Sequence, residues 1–164
     1  MEAEGQVAYQ PHRGYTVVEL SLEELEEIYL IRSLLETEAT RWAVPKVDAE
    51  LIQRLEALTA HMDELVKADD FSRYVEANRD FHFTLFERAR LPRLYRMIEV
   101  LWQVSEAYRS AISDSTWGER AQKYHRALLE ACKAKDVTEA IAIQDEHRSD
   151  AIVNITAFLK KAET

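Results

Sequence analysis

Residues 48–67 read DAELIQRLEALTAHMDELVK, and the pattern of this stretch decides the fold class. Its apolar side chains recur at intervals of three and four residues, at Leu51, Leu55, Leu58, Met62 and Leu65. That spacing places them on one face of an α-helix. Asp48 stands where a helix N-cap is expected, because its carboxylate can accept a hydrogen bond from a first-turn N–H. The stretch therefore predicts an amphipathic helix that packs against other helices.

The same helical period runs through the chain from Ser21 onward. Ser21 and Glu24 form a capping box for the first helix, and Pro45 is expected to end it. The apolar stripe of this helix is predicted to include Leu25, Ile28, Leu35, Ala39 and Trp42. Further helix starts are predicted at Asp69 or Asp70, at Pro92, at Thr116 with Glu119, and at Asp136 with Glu139. The expected fold class is all-α, an antiparallel bundle of about six helices.

Composition sets limits on the class of protein. The chain has 164 residues, of which 47% are hydrophobic, and a formal net charge of −9. This length suits one domain with a substantial core, and the acidity argues against nucleic-acid binding by these residues alone. The absence of a long apolar run predicts no membrane span. The single cysteine, Cys132, excludes an internal disulfide and favours a cytoplasmic location, with Cys132 as a small core residue.

Residues 1–20 differ from the helical remainder. Two short extended runs, from Gln6 to Tyr9 and from Tyr15 to Leu20, flank the turn-forming residues 11–14. This arrangement predicts a β-hairpin, although an isolated hairpin is only marginally stable in water. Two interpretations remain open: a disordered leader, or the end of another domain.

Three histidines fall on the core-facing stripes of three different predicted helices. They are His82, His125 and His147, and Asn78 precedes His82 by one helical turn. A single histidine in such a position is usually a core residue that is hydrogen-bonded to the backbone. Three of them, one paired with an amide, are also consistent with one shared site for a transition metal and a small acid.

Other metal or nucleophilic chemistries lack their sequence signatures. A carboxylate-bridged di-iron site needs Glu three residues before its histidines, but those positions hold Arg79, Gln122 and Gln144. The chain contains no HExxH sequence and no phosphate-binding glycine loop. Cys132 has no neighbouring motif that would make it a nucleophile. His12 and His61 occur in loop-like or polar-face settings and are expected at the surface.

Two arginines lie close to predicted apolar stripes. Arg32 interrupts the first helix, and Arg109 ends the hydrophobic seam of the fourth. Each side chain could extend its charged end to the solvent. Alternatively, both could hold the carboxylate of a ligand through paired hydrogen bonds.

Taken together, these motifs resemble the ligand-binding domain of GntR-type transcriptional regulators of the FadR subfamily. The resemblance rests on RSLLE at 32–36 with Ala39, on NRDFH at 78–82, on His125 with Ala127 and Leu128, and on His147. It extends over about residues 21–160. The N-terminal EAEGQVAYQPHRGYTV resembles the wing that ends the winged-helix DNA-binding domain of the same family. The expected division is therefore 1–20, a wing remnant with linker, and 21–164, a helical effector-binding and dimerisation domain.

The resemblance implies a ligand set and partners. The metal ligands of the family fall on Asn78, His82, His125 and His147, and the metal would be zinc or nickel. Asn78 is a departure because the family usually has Asp there, and an amide oxygen is a weaker, neutral ligand. The family also has metal-free members. The implied partners are a small carboxylate effector, a second copy in a homodimer, and DNA only through a missing winged-helix domain.

The resulting interpretation is a sensor domain without enzymatic activity. A small organic acid would bind beside the metal and near Arg32 or Arg109, and binding would shift the geometry of the DNA-binding dimer. One alternative is a metal-dependent helical enzyme, which is disfavoured because no general base stands beside the histidines. Another is a metal-free dimerisation module with a polar core.

Overall fold

The computed structural model describes residues 7–10, 14–17, 21–112 and 115–162. Within these residues the chain forms six α-helices, which confirms the prediction of an all-α bundle. The helices are α1 (Leu22–Ala43), α2 (Ala49–Lys67), α3 (Phe71–Glu87), α4 (Pro92–Ile112), α5 (Ser115–Ala134) and α6 (Val137–Ala162). A short 3-10 turn, Val44–Lys46, follows α1. Among the described residues, no helix combines the length and apolar character needed to cross a bilayer.

Most helix starts lie where the capping residues predicted them. The Ser21 hydroxyl accepts a hydrogen bond from the Glu24 N–H at 3.1 Å, and the Glu24 carboxylate accepts one from the Ser21 N–H at 2.8 Å. This is the reciprocal pair of a capping box. Asp48 accepts from the Leu51 N–H at 2.9 Å, and Asp70 rather than Asp69 caps α3. These side chains satisfy backbone donors that would otherwise lack partners at the helix ends.

The end of α1 agrees with the prediction, because the helix ends at Ala43 and Pro45 lies in the 3-10 turn that follows. One predicted boundary needs correction. Helix α5 begins at Ser115, so Thr116 lies in its first turn and not in the cap position.

The predicted apolar stripe of α1 was also partly wrong. The buried face of α1 includes Arg32 and Glu36, whereas Trp42 is 51% exposed and lies beside the Lys46 ammonium. Ile28 and Leu35 are only half-buried. The prediction placed Arg32 only close to the stripe and left out Glu36 because it is charged, and this displaced the stripe toward a neighbouring face of the helix.

The predicted hairpin is present near the N-terminus. Strands β1 (Val7–Gln10) and β2 (Gly14–Val17) pair antiparallel, with Val7 opposite Val17 and Gln10 opposite Gly14. Gly14, which was predicted as turn, begins β2. Gln6, residues 11–13 of the predicted turn and residues 18–20 of the predicted second run lie outside the described residues.

The bundle interior has two parts of different chemistry. The apolar core lies mainly between α2, α3 and α5 and is centred on Leu55, Met62, Phe81, Leu85 and Leu128. The polar cluster lies where α3 and α5 meet α1, α4 and α6 and consists of Arg32, Glu36, Asn78, His82, Arg109, His125, His147 and Arg148. Small apolar groups of side chains border the polar cluster on the α1–α4 and α1–α6 sides. The candidate site therefore lies inside the bundle and not on its surface.

Candidate metal and anion site

The three predicted histidines converge in the polar cluster. His82 on α3, His125 on α5 and His147 on α6 are all buried, and one ring nitrogen of each lies within 4.8 Å of the others. The Nε2 atoms of His82 and His125 are 3.3 Å apart. Three helices thus bring together three imidazoles that are separated by up to 65 residues in the sequence (82 to 147).

The spacing of the ring nitrogens fits the size of a metal coordination sphere. Zinc–nitrogen bonds of about 2.0–2.1 Å place neighbouring ligand atoms roughly 2.9–3.4 Å apart, and the His82–His125 pair already has this separation at 3.3 Å. Any three points within 4.8 Å of one another lie within about 2.8 Å of a common point (4.8/√3). Small side-chain rotations would therefore close the set around one ion.

The orientation of His125 is set by Gln122, one turn earlier on α5. The Gln122 amide NH2 donates to the Thr59 carbonyl at 3.0 Å and to the Asp63 carboxylate at 2.7 Å. Its carbonyl oxygen is therefore the atom that faces His125 Nδ1, at 2.7 Å. Because that oxygen can only accept, Nδ1 of His125 carries the proton and Nε2 presents its lone pair to the cluster.

All three imidazoles are held in the neutral form that metal binding requires. Burial, followed by the electrostatic effect of the neighbouring histidines, lowers the pKa of His82 and of His125 well below the ordinary value for histidine. The pKa of His147 is lowered to about 3, first by burial and then by the nearby charges of Arg109 and Arg148. Protons therefore do not compete for these nitrogens near pH 7.

Asn78 lies in the same cavity as two of the histidines. The cavity is lined by Asn78, His82 and His147 and has a volume of about 10 Å³, room for roughly one water or one ion. The side-chain oxygen of Asn78 is buried and has no hydrogen-bond partner, and neither do the Nδ1 atoms of His82 and His147. Buried polar atoms without partners cost stability. The Asn78 oxygen, together with the ring nitrogens that the three histidines bring within 4.8 Å of one another, therefore fits a cation with nitrogen and oxygen ligands.

Both predicted effector arginines also line this cavity and do not reach the solvent. Arg32 is 2% exposed and Arg109 is 3% exposed, and their guanidinium carbons lie 4.4 Å and 4.0 Å from the centroid of the Trp102 ring. The pKa of Arg109 is lowered to about 10 by burial and by the charge of Arg32. Two buried guanidinium groups on one aromatic ring create a positive potential beside the histidines.

Sequence reasoning missed the group that neutralises part of this charge. The Glu36 carboxylate is 1% exposed and accepts hydrogen bonds from Arg32 Nε at 2.8 Å, Trp102 Nε1 at 2.6 Å and Arg148 Nη1 at 2.8 Å. Burial alone would raise the pKa of Glu36, but the charges of Arg32 and Arg148 and the hydrogen bonds outweigh it and lower the pKa below its ordinary value. Glu36 is therefore ionised in the interior.

Two of the missed residues left a weak signal in the sequence. Glu36 stands four residues after Arg32, which places both on one face of α1, and Arg148 directly follows His147. The sequence pattern indicates only that Gln122 is not the glutamate that a di-iron site would need. Its role depends on contacts with Thr59 and Asp63 on α2, which no spacing within α5 reveals.

Comparisons with known proteins place the chain in a family. Residues 27–150 match the family described as the FCD domain. The chain is 31% identical over 131 residues to the HTH-type transcriptional regulator McbR of Escherichia coli, and 27% identical over 159 residues to the uncharacterized HTH-type transcriptional regulator BphR of Paraburkholderia xenovorans. These matches cover 77% and 93% of this chain. The chain spans about 58% and 65% of the length of the two relatives.

Solved structures support the same fold. The structure of E. coli McbR/YncC superposes with a TM-score of 0.91 over 96% of this chain and 76% of that one, at 23% identity. A GntR family member from Pseudomonas syringae superposes with a TM-score of 0.70 over 99% of this chain and 68% of that one, at 25% identity. The matched relatives are transcriptional regulators and not enzymes, which confirms the non-enzymatic interpretation.

Proposed function

Since the chain belongs to the FCD domains of GntR-type transcriptional regulators, we propose that it senses a small organic acid that binds beside a divalent metal. The single observation that carries the proposal is the meeting of three buried, neutral imidazoles, two of which line one cavity together with two buried arginines. A metal supplies a positive charge that can polarise and hold a ligand oxygen. Neither a purely apolar pocket nor an ordinary protein core needs such a donor set.

In this proposal His82, His125 and His147 hold the metal, with zinc or nickel as the fitting ions, and Asn78 is the weakest ligand. Nitrogen-rich sites favour these metals among the common divalent ions. Asn78 adds a neutral oxygen, whose buried position without a partner supports its inclusion. The ligand's carboxylate would then occupy an open position on the metal.

Elemental analysis of protein purified without added metal tests this part. We expect about one metal per chain, as in other sites with histidine ligands. His82→Ala should lose the metal, while His61→Ala, at an exposed position on α2, should retain it. Equal metal content in the two variants would exclude the histidine site and leave a metal-free polar core as the interpretation.

Arg32 and Arg109 are proposed as the charge partners of the acid. A metal and a guanidinium together offset the desolvation of a buried carboxylate. A thermal-shift screen over lactate, citrate, sugar acids and fatty acids tests the class, since ligand binding to the folded state stabilises by about 2.7 kcal/mol at 100-fold excess over Kd. Stabilisation by neutral sugars and by no acid would exclude the carboxylate class.

A homodimer is the proposed assembly, and the face formed by α1 and α4 is the proposed interface. GntR-family regulators act as dimers, and α1 packs beside α4. These helices expose Leu30, Leu34 and Met97 by 63%, 64% and 54%, and exposed apolar patches mark association sites.

Sedimentation should show that Leu34→Glu favours the monomer. Val153→Glu is the control because Val153 on α6 is equally exposed, at 65%. A dimer that survives Leu34→Glu would exclude this face.

DNA binding is proposed to reside outside this chain, with residues 1–20 as the wing remnant and linker of a winged-helix domain. The hairpin Val7–Val17 supports this assignment, and the net charge of −9 disfavours contact with phosphate groups by residues 1–164 themselves. Fluorescence anisotropy should detect no sequence-specific binding by this chain alone. Specific binding would contradict the domain division.

A further inference from the structure

Three helices meet on one buried carboxylate in the polar cluster. Glu36 on α1 receives Arg32 from its own helix, Trp102 from α4 and Arg148 from α6, all at 2.6–2.8 Å. Arg32 is held in turn by the Ser105 hydroxyl at 3.0 Å. Charge-assisted hydrogen bonds of this length are the strong kind. Arg32, Trp102 and Arg148 thus form a carboxylate-binding site that is occupied by a carboxylate of the protein itself, that of Glu36.

The size of the cavity makes Glu36 important for any incoming anion. The cavity beside the histidines has a volume of about 10 Å³, about one water, and a carboxylate ligand does not fit beside the present side chains. Glu36 lines this cavity together with Arg32 and Arg148. An acid can therefore reach these arginines only if the Glu36 carboxylate gives way.

The charges around the cavity favour such an exchange. Three buried arginines, Arg32, Arg109 and Arg148, line it, while Glu36 is the buried carboxylate that faces them. Two further carboxylates lie at the margin: Asp145 pairs with Arg148 and is half-exposed, and Glu106 is 25% exposed and pairs with Arg79. Two buried guanidinium groups, Arg32 and Arg148, therefore share the Glu36 carboxylate, and the carboxylate of a ligand would replace it at the same charge.

We propose that Arg32, Arg148 and Trp102 form the seat for the effector's carboxylate, and that Glu36 occupies this seat until a ligand displaces it. The proposal rests on the acid-sensing function and adds Arg148 and Trp102 to the ligand-binding residues. The displaced Glu36 would release α1 from α4 and α6, because its bonds connect these helices. The exposed apolar residues Leu30 and Leu34 lie on the same helix α1. Displacement of Glu36 by the ligand would in this way be transmitted along α1 to the proposed dimer face.

Acetate rescue of Glu36→Ala tests the seat directly. The substitution removes the internal carboxylate and leaves its three donors and a space of its size. We expect a lower melting temperature in acetate-free buffer that acetate, but not the neutral isostere acetamide, raises again. The wild type and Glu38→Ala, whose glutamate pairs with Arg41 at the surface, should respond weakly to both. Equal responses of Glu36→Ala to acetate and acetamide would overturn the proposal.

Glu36→Gln tests displacement and keeps the shape of the side chain. Because the neutral amide binds two arginines less strongly than a carboxylate, acetate should half-saturate this variant at a concentration roughly tenfold or more below that of the wild type, a difference of one tenfold step in affinity. Weaker or unchanged acetate binding would mean that Glu36 only supports Arg32 and Arg148, and would overturn the proposal. If Glu36→Ala is unfolded without acetate, the acetate titration of Glu36→Gln tests the proposal in its place.

The outcomes separate this inference from the proposed function. Acetate rescue in a protein that contains no metal would support the carboxylate seat and contradict the metal part of the proposed function. A protein that binds metal and responds to acids, but whose Glu36 variants show no change in acetate response, would support the proposed function and overturn the seat.

Discussion

The apolar core and the polar cluster are equally buried, yet they differ in how their side chains are satisfied. In the apolar core, Leu55 and Met62 are completely buried and need only close packing. In the polar cluster, the Asn78 side-chain oxygen and Nδ1 of both His82 and His147 have no hydrogen-bond partner. Such atoms cost about 1–3 kcal/mol each when unsatisfied. This difference is consistent with the proposal that the first region stabilises the fold and the second binds the metal and the ligand.

Helix α3 belongs to both regions, and its neighbouring residues Phe81 and His82 show the division. Phe81 is part of the apolar core, and its ring lies 4.9 Å from that of His125. His82 faces the other two histidines and Trp102. Because consecutive helical residues point about a quarter-turn apart, one helix can supply packing and ligands at the same level of the bundle.

The largest expected effect is a loss of stability in the apolar core without a loss of metal binding. Leu55→Ala should lower the free energy of unfolding by about 2–5 kcal/mol, because it removes buried methyl groups and leaves a cavity. Urea denaturation of the metal-free protein measures this change, with Val153→Ala as the control at an exposed position outside the proposed dimer face, expected within about 0.5 kcal/mol of the wild type. If the metal stoichiometry of the folded variant also fell, the two regions would not be separable.

Replacement of Gln122, which orients a histidine of the polar cluster, should weaken metal binding rather than the stability of the apolar core. Gln122→Leu should weaken metal binding by about 10–100-fold, as is typical when a partner that orients a ligand histidine is removed. The reason is that Nδ1 of His125 would lose its acceptor and Nε2 would no longer be held as the unprotonated atom. Competition with a chelator measures the affinity. Exposed Gln103→Leu on α4 is the control, and equal affinities of the two variants would contradict the role of Gln122.

Asn78→Asp should strengthen metal binding in the polar cluster. A carboxylate is an anionic ligand, and we expect a gain of about tenfold, or about 1.4 kcal/mol. The same competition assay measures it in parallel with the wild type. Unchanged or weaker binding would show that the buried oxygen of residue 78 does not face the ion.

The smallest expected effect is the contribution of each clustered histidine to the pH dependence of the metal-free protein. The pKa values of the three clustered histidines are lowered in the folded state, so the unfolded chain binds more protons below about pH 6.5. Stability is therefore fully present above that pH and decreases as the pH falls, by roughly 0.7 kcal/mol for each histidine between pH 7 and 6.

Chemical denaturation at a series of pH values measures this dependence. His147→Gln should remove roughly a third of it, because one of the three buried histidines is lost. The variant His61→Gln, on the exposed face of α2, leaves the cluster intact and serves as the control. An unchanged slope in His147→Gln would contradict the assignment of the pH dependence to the cluster.

Much of the candidate site was predictable because it follows helical periodicity. Asn78 and His82 share a face of α3 by their i, i+4 spacing, and the structure places Arg32 and Arg109 in the cavity that Asn78, His82 and His147 line. Glu36 and Arg148 were not predicted as site residues, because a charged side chain on a helix is normally solvated. Glu36 on α1 and Arg148 on α6 can be buried because each compensates the charge of the other.

The sequence by itself determined the helices, most of their caps and the stripes on which the histidines lie, because capping and periodicity depend on residues a few positions apart. Only the tertiary structure decided which ring nitrogens face one another, that Gln122 orients His125 through α2, and that Glu36 joins α1, α4 and α6. These relations depend on the crossing of helices that are distant in sequence. An error of one helix face in a predicted stripe replaces a buried residue with an exposed one. Trp42, which was predicted on the apolar stripe of α1, is in fact exposed.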